Sequence, residues 1–283
     1  MKQNNLGIPS NGFEYQKLSY NQNPIEEYIK TNEFLRKVFL QDLKNIAPHL
    51  YDGEISLQFI NYGDTQLVYV FETSNQLYTV LVGQPSVEKG VVKQEYDNLL
   101  KLHSKNKELV IKPEYYFSDQ ERELYITPYL LQARCIASQN GGWGIYIPEP
   151  YYHFEYFTKE EQFYVNSSII ANLVKLYDEE EEKGVAACKI GGGDFILERK
   201  WSQEPKSLDN TLSKMKLIAA REMISTSLDN YLDLIRKEFS LRTYYRTQEE
   251  RDLSILINHK ARIPMQEEEI ENGIQLGLRL RYK

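Results

Sequence analysis

Strand-like runs on both sides of a glycine turn are the clearest pattern in the first half of the chain. Residues 55–60 and 67–71 are rich in β-branched and aromatic side chains. Such runs predict a β-hairpin, and its tip falls at Gly63, Asp64 and Thr65. A glycine tip of this kind can cover a phosphate, and the alternative interpretation is a plain turn.

A helix and three further strands are predicted after this hairpin. Residues 76–82, 115–117 and 124–130 have the composition of strands. Within residues 92–102, the apolar positions that fall on one face of a helix are Val92, Tyr96, Leu99 and Leu100. The predicted order is strand, glycine turn, strand, strand, helix, strand, strand.

Helical periodicity dominates the second half of the chain. Thr158 and Glu161 form a capping-box pattern ahead of an apolar face, and Gly184 is expected to end that helix after an acidic last turn. A second amphipathic helix is predicted over residues 228–239. The final residues, 277–283, alternate between apolar and basic types and suggest a closing strand or an arm.

A second candidate site lies between these two predicted helices. Three consecutive glycines, residues 191–193, precede Asp194. Glycines let a backbone approach a ligand closely, and an exposed carboxylate at such a turn suits Mg²⁺ coordination or proton acceptance. The alternative is a tight hairpin in which Asp194 satisfies its own turn amides.

Composition narrows the class of protein and its partners. The chain has 283 residues, of which 41% are hydrophobic, and this is enough for two lobes with a sizeable core. Its 41 acidic and 34 basic residues make nucleic acid an unexpected partner. The sequence contains no apolar run of about 18 residues, and it does not begin with basic residues followed by an apolar run. We therefore expect no membrane partner and a cytoplasmic location.

The order of elements over about residues 50–135 resembles that of one family. The strings that carry the resemblance are YGDTQLVYVFE, LYTVLVGQPS, EYDNLLKLH, IKPEYYF and LYITPYLL. It is similar to the small lobe of the aminoglycoside-phosphotransferase-like branch of the protein-kinase-like fold. The resemblance implies a two-lobed α+β protein with a small antiparallel-sheet lobe and a mainly helical large lobe. The expected parts are an N-terminal arm with short helices (1–49), the small lobe (50–137) and the large lobe (138–283).

This resemblance implies a function and a set of site residues. The function is ATP-dependent phosphotransfer to a small-molecule substrate, or nucleotide binding without transfer, with ATP and Mg²⁺ as cofactors. The implied roles are phosphate binding by Gly63, Asp64 and Thr65, orientation by Glu95, catalysis by Asp194, and Mg²⁺ binding by Asp194 with Glu198.

The small lobe departs from the family at the position whose side chain binds the nucleotide phosphates. The third strand carries Leu81 or Val82 at the position of the family's phosphate-gripping lysine. Glu95, which pairs with that lysine in the family, then needs another cation. The candidates are Lys89, Lys93 and Lys112.

The large lobe departs as well. If Asp194 is the base, Arg199 stands at the metal-binding asparagine position, and if Asp194 takes that position, Lys189 replaces the base. A third alignment, with Asp194 and Phe195 as the later metal-binding pair, leaves no upstream His-x-Asp loop. The departures support the alternative function, a catalytically inactive pseudokinase-like scaffold that binds a protein partner. An unrelated α+β domain with a similar strand order stays open.

Overall fold

The structure is a computed structural model, and the chain divides into two compact units. The first unit comprises Met1–Tyr96, Lys112–Leu131 and Gly144–Ile147, and the second comprises Asp97–Ile111, Gln132–Trp143 and Pro148–Lys283. The residues that the structure describes are 56–62, 66–72, 77–84, 87–120, 122–128, 133–137, 151–153, 157–179, 184–188, 190, 194–240 and 265–282.

A five-stranded antiparallel sheet forms the first unit, in the order β1-β2-β3-β5-β4. Along β3, Tyr78, Val80 and Val82 are buried while Thr79 and Leu81 are half-exposed, as the two-residue period of a strand requires. The predicted order of strands and helix is confirmed. The strands are β1 (Ser56–Tyr62), β2 (Gln66–Glu72), β3 (Leu77–Gly83), β4 (Tyr115–Ser118) and β5 (Glu123–Pro128).

Helix α1, Val91–Lys105, follows β3, and the division between the two units falls within it. Gly90 stands just before it with φ of 101°, a left-handed conformation that favours glycine. The buried side chains Val92, Leu99 and Leu102 lie at helical spacing on one face. The helical face predicted from the apolar pattern is therefore confirmed at Val92 and Leu99.

Two long helices pack closely in the second unit. Helix α2, Lys159–Lys175, begins with the predicted capping box, because Thr158 Oγ1 accepts from Glu161 N and the Glu161 carboxylate accepts from Thr158 N. Helix α5, Glu267–Arg281, lies against α2 through Gly273 and Gly277. Small residues at this spacing allow two helix backbones to approach each other.

Two expectations about helix ends are wrong. Helix α2 ends at Lys175 with Leu176 as its cap, so the acidic run that begins at Asp178 lies beyond the helix. The C-terminal stretch is neither a strand nor an arm, because α5 continues through it to Arg281. The glutamates of its first turn and the arginines of its last turn both complement the helix dipole.

The second unit also contains two small sheets. One has the order β10-β9-β6-β7, and in the other β8 pairs antiparallel with β11. The strands are β6 (Ala133–Ala137), β7 (Tyr151–His153), β8 (Val185–Cys188), β9 (Phe195–Glu198), β10 (Met215–Leu217) and β11 (Glu222–Ser225). The remaining helices are a 3₁₀ helix (Arg199–Gln203), α3 (Leu208–Ser213) and α4 (Leu228–Phe239), the last as predicted. Within the described ranges, no helix is both long and apolar enough to cross a membrane.

Candidate functional site

The predicted glycine hairpin is confirmed by its strands. β1 pairs antiparallel with β2, with Tyr62 opposite Leu67 at the end nearest the turn. The tip residues Gly63, Asp64 and Thr65 lie outside the described residues, so their role over phosphates stays a prediction. The first described residue after the tip is Gln66.

Gln66 and Glu95 form a buried pair in the first unit. Gln66 is 3% exposed and Glu95 is fully buried. The side-chain amide of Gln66 donates a hydrogen bond of 2.5 Å from Nε2 to Oε2 of Glu95. A hydrogen bond to a carboxylate is stronger than one between neutral groups, and it is stronger again away from water. Gln66 thus gives Glu95 a neutral amide donor from β2.

The three lysines proposed as cations for Glu95 have other partners. Each of the three contacts a group on the sheet or on its own segment. Lys89 Nζ donates to the main-chain oxygen of Asp119 at 2.9 Å, Lys93 Nζ lies 5.4 Å from the ring centre of Tyr116, and Lys112 Nζ lies 3.1 Å from Glu114 Oε2.

Asp194 lies immediately before β9, at one end of an antiparallel strand pair. In the register of β9 with β10, Phe195 faces Leu217, and Ile218 N donates to the main-chain oxygen of Asp194 at 2.8 Å. Asp194 is 7% exposed, so its carboxylate is not the exposed group that the glycine turn predicts. The residues directly after β10 are Ile218, Ala219 and Ala220.

Glu198 lies at the opposite end of β9 from Asp194. Its carboxylate is 3.7 Å from Lys214 Nζ, which also lies 3.8 Å from Glu204. Four residue steps along a strand correspond to roughly 13 Å between the Cα atoms of residues 194 and 198. The structure therefore does not bring the two predicted metal ligands to one point, and both metal roles stay predictions.

The residues directly after β10 offer no side-chain oxygen to a magnesium–nucleotide complex. Mg²⁺ is held by carboxylate and phosphate oxygens in near-octahedral geometry. Alanine and isoleucine follow β10, and within the part of the chain that the structure describes, no group of three or more His, Cys, Asp or Glu side chains could hold a metal ion.

Two polar residues of this region have roles that the sequence pattern missed. Gln66 is the partner of Glu95, and Asn98, one helical turn further along α1, donates from Nδ2 to the main-chain oxygens of Ala220 and Arg221 at 2.8 and 3.3 Å. The spacing of three residues between Glu95 and Asn98 places both on one side of α1. For Asn98, the sequence signal was a polar residue at the helical spacing of the buried face of α1.

Comparisons with solved structures find kinase-like proteins. A crystal structure of the BubR1 kinase domain matches with a TM-score of 0.40 and 15% identity, over 74% of this chain and 62% of that chain. A thermostable mutant of aminoglycoside phosphotransferase APH(4)-Ia, solved as a ternary complex with AMP-PNP and hygromycin B, matches with a TM-score of 0.31 and 12% identity, over 54% of this chain and 40% of that one. The chain thus spans less than two thirds of either.

No protein-family model matches the sequence, and no curated protein matches it either. The described residues form a mixed α+β chain with small antiparallel sheets and several helices, which is the fold class that the sequence predicts.

Proposed function

We propose that this protein is kinase-like in fold, neither binds ATP nor transfers phosphate, and acts by binding a protein partner. The observation that carries the proposal is the bond between Gln66 and Glu95. In protein kinases the third-strand lysine must pair with the helix glutamate before phosphoryl transfer can occur. A neutral amide at this place supplies no positive charge to the phosphates, because its two N–H donors belong to an uncharged group.

The residues that follow β10 support the same proposal. In kinases a second metal-binding aspartate follows a strand pair and holds Mg²⁺ against the nucleotide. Here β9 and β10 form a strand pair directly after Asp194, and the chain continues as Ile218, Ala219 and Ala220. Methyl and alkyl side chains offer no oxygen to a hard cation. The third strand and the residues directly after β10 thus both lack the charged side chain that kinases place there.

A protein partner is favoured over a small-molecule substrate by the composition of the chain. Its 22 tyrosines exceed the 11 phenylalanines, and tyrosine is enriched at protein–protein interfaces. Its ring supplies apolar contact area while its hydroxyl stays hydrated. Among the described residues, Tyr282 is a large hydrophobic side chain with 73% of its surface exposed.

The test is a thermal melt of the protein alone, with ATP and Mg²⁺, and with ATP and EDTA. A ligand at about 100 times its dissociation constant adds roughly 2.7 kcal/mol to the free energy of unfolding. For a domain of 150–250 residues this raises the melting temperature by at least about 5 °C. We expect the three melting temperatures to coincide at millimolar ATP.

A metal-dependent rise in the melting temperature would contradict the proposal. It would favour the nucleotide-binding phosphotransferase instead, and transfer of labelled phosphate from ATP to candidate small molecules would then be measured. A rise with ATP that persists in EDTA would indicate a nucleotide-binding protein that needs no metal, and it would also contradict the proposal of a protein that works through a protein partner alone.

A further inference from the structure

The chain between β10 and α4, residues 218–227, is here called the joining segment. It begins directly after β10, which pairs with β9, and it continues through β11 to α4. We propose that the joining segment is a fixed joint that does not switch between conformations, and that Asn98 of α1 is the side chain that fixes its centre. This inference concerns motion and goes beyond the proposed function.

Main-chain hydrogen bonds hold the start of the segment. Leu217 N donates to the main-chain oxygen of Leu109 at 2.8 Å, and Ile111 N donates to Leu217 O at 2.9 Å. The next residue, Ile218, donates to Asp194 O at 2.8 Å. Leu109 and Leu217 are buried, and buried main-chain bonds of this kind open only with the surrounding structure.

Asn98 holds the centre of the segment. Its Nδ2 lies 2.8 Å from the oxygen of Ala220 and 3.3 Å from the oxygen of Arg221, so one amide group serves two successive carbonyls. Ala220 is fully buried. Loss of the amide would leave a buried carbonyl without this donor, and a buried acceptor that loses its partner destabilises the surrounding structure.

The end of the segment is held by β8 and by Tyr177. Glu222–Ser225 pairs antiparallel with β8, Thr226 N donates to Gly184 O at 3.2 Å, and the Tyr177 hydroxyl donates to Thr226 O at 2.7 Å. Ser227 then accepts from Asn230 N at 3.3 Å as the N-cap of α4.

These contacts contrast with the design of a switching loop. Kinase activation loops change between order and disorder when phosphorylation or a bound nucleotide adds contacts. Elements that move in this way come from the least stable part of a protein. The joining segment has main-chain partners at its start and end and a side-chain donor at its centre, which are the properties of a protected region.

Hydrogen exchange with mass spectrometry of the full chain tests the inference. In the unmodified protein we expect slow exchange of the amides of residues 217–225, with no change on addition of ATP and Mg²⁺. In Asn98→Asp, which removes the donor and places a negative charge beside two carbonyls, exchange of these amides should accelerate by at least about tenfold, because 1.4 kcal/mol corresponds to a factor of ten.

Gln94→Glu is the matched control, since it makes the same amide-to-carboxylate change at an exposed position of α1. Its exchange in residues 217–225 should equal that of the unmodified protein. If Asn98→Asp does not fold, Asn98→Ala removes the donor without adding charge and carries the same expectation.

Three outcomes would overturn the inference. They are complete exchange of residues 217–225 within seconds in the unmodified protein, protection that changes with ATP and Mg²⁺, and equal protection in the unmodified protein and the folded Asn98 variants. A metal-dependent melting shift with unchanged exchange in this segment would instead remove the proposed function alone.

Discussion

The side-chain amide of Gln66 and the carboxylate of Glu95 form a buried hydrogen bond of 2.5 Å between β2 and α1. Under the proposed function, this bond replaces the lysine–glutamate ion pair that protein kinases use. A buried carboxylate needs a donor, because its burial without one costs more than the burial of a neutral polar group. The hydrogen bond from Gln66 is therefore expected to stabilise this part of the first unit.

Gln66→Leu should lower the free energy of unfolding by about 1–3 kcal/mol or more, because it leaves the Glu95 carboxylate buried without this donor. Urea unfolding measures the change. The control is Gln94→Leu at an exposed position of α1, which should change the free energy by less than about 0.5 kcal/mol.

The double variant Gln66→Leu with Glu95→Leu separates the hydrogen bond from simple packing. Replacement of both partners by apolar groups of similar shape is close to neutral, so the double variant should be more stable than Gln66→Leu alone. A double variant that loses the sum of both single changes would show that the two side chains act independently.

Arg281 of α5 caps the end of α2, and its replacement should be costly. Its guanidinium donates from Nη1 to the main-chain oxygens of Val174 and Tyr177, and its Nη2 lies 2.6 Å from Glu179. Lysine carries the charge but not the planar fork of donors. Arg281→Lys should therefore lower the free energy of unfolding by about 1–3 kcal/mol.

Arg279→Lys is the matched control for Arg281→Lys. The Arg279 side chain is 59% exposed, and it forms an ion pair of 3.5 Å with Asp209. Exposed ion pairs contribute about 0–1 kcal/mol. Equal losses in the two lysine variants, measured by urea unfolding, would contradict the capping role of Arg281.

The sequence predicts the first unit well because local pattern and tertiary structure agree there. The two-residue alternation predicts which side of β3 is buried, and the helical spacing of Val92 and Leu99 predicts which side of α1 is buried. The capping box of Thr158 and Glu161 is equally local, since both bonds span three residues. Such features need no knowledge of distant partners.

The candidate site was harder to predict because its contacts are distant in sequence. Glu95 is 29 residues from Gln66, and Asn98 is 122 residues from Ala220. Neither amide belongs to a motif, so nothing local indicates its partner. The prediction for the C-terminal stretch was wrong for a different reason. Its alternation of apolar and basic residues is short, and the packing of Gly273 and Gly277 against α2 outweighs it.

Gly277→Ala should destabilise the protein although alanine is the better helix former. A methyl group at this position would lie 2.6 Å from Val174 Cβ and 2.9 Å from the main-chain oxygen of Ala171. Overpacking of this kind costs about 1–3 kcal/mol and outweighs the helix propensity gain of about 1 kcal/mol. Gln275→Ala, exposed on the same helix, is the control, and its melting temperature should not fall.

Glu269 gives the protein a defined dependence on pH. Burial raises the pKa of its carboxyl above the ordinary value near 4.5, while the hydrogen bond from Gln266 N opposes the change. Because the folded state holds this proton more tightly than the unfolded state, the contribution of Glu269 to stability is present below pH 4.5 and is lost as pH rises through the raised pKa.

Glu269→Gln removes this titration and keeps an oxygen for the capping box. The free energy of unfolding of the variant, minus that of the unmodified protein, should therefore increase as pH rises from about 4.5 and then level off. Urea unfolding across this range measures the difference. A difference that is constant or that decreases with pH would contradict the assignment.

Asn172 of α2 should be replaceable with a gain in stability. Its side chain is fully buried, and neither Nδ2 nor Oδ1 has a hydrogen-bond partner in the described part of the chain. A buried polar group without a partner costs about 1–3 kcal/mol. Asn172→Ala removes the amide and leaves only a small cavity, so the free energy of unfolding should rise by about 1 kcal/mol. Asn272→Ala, exposed on α5, measures the gain from helix propensity less the loss of one exposed hydrogen bond, from Asn272 Nδ2 to the main-chain oxygen of Glu268 at 2.8 Å. A gain at residue 172 no larger than in this control would show that the buried amide is already satisfied.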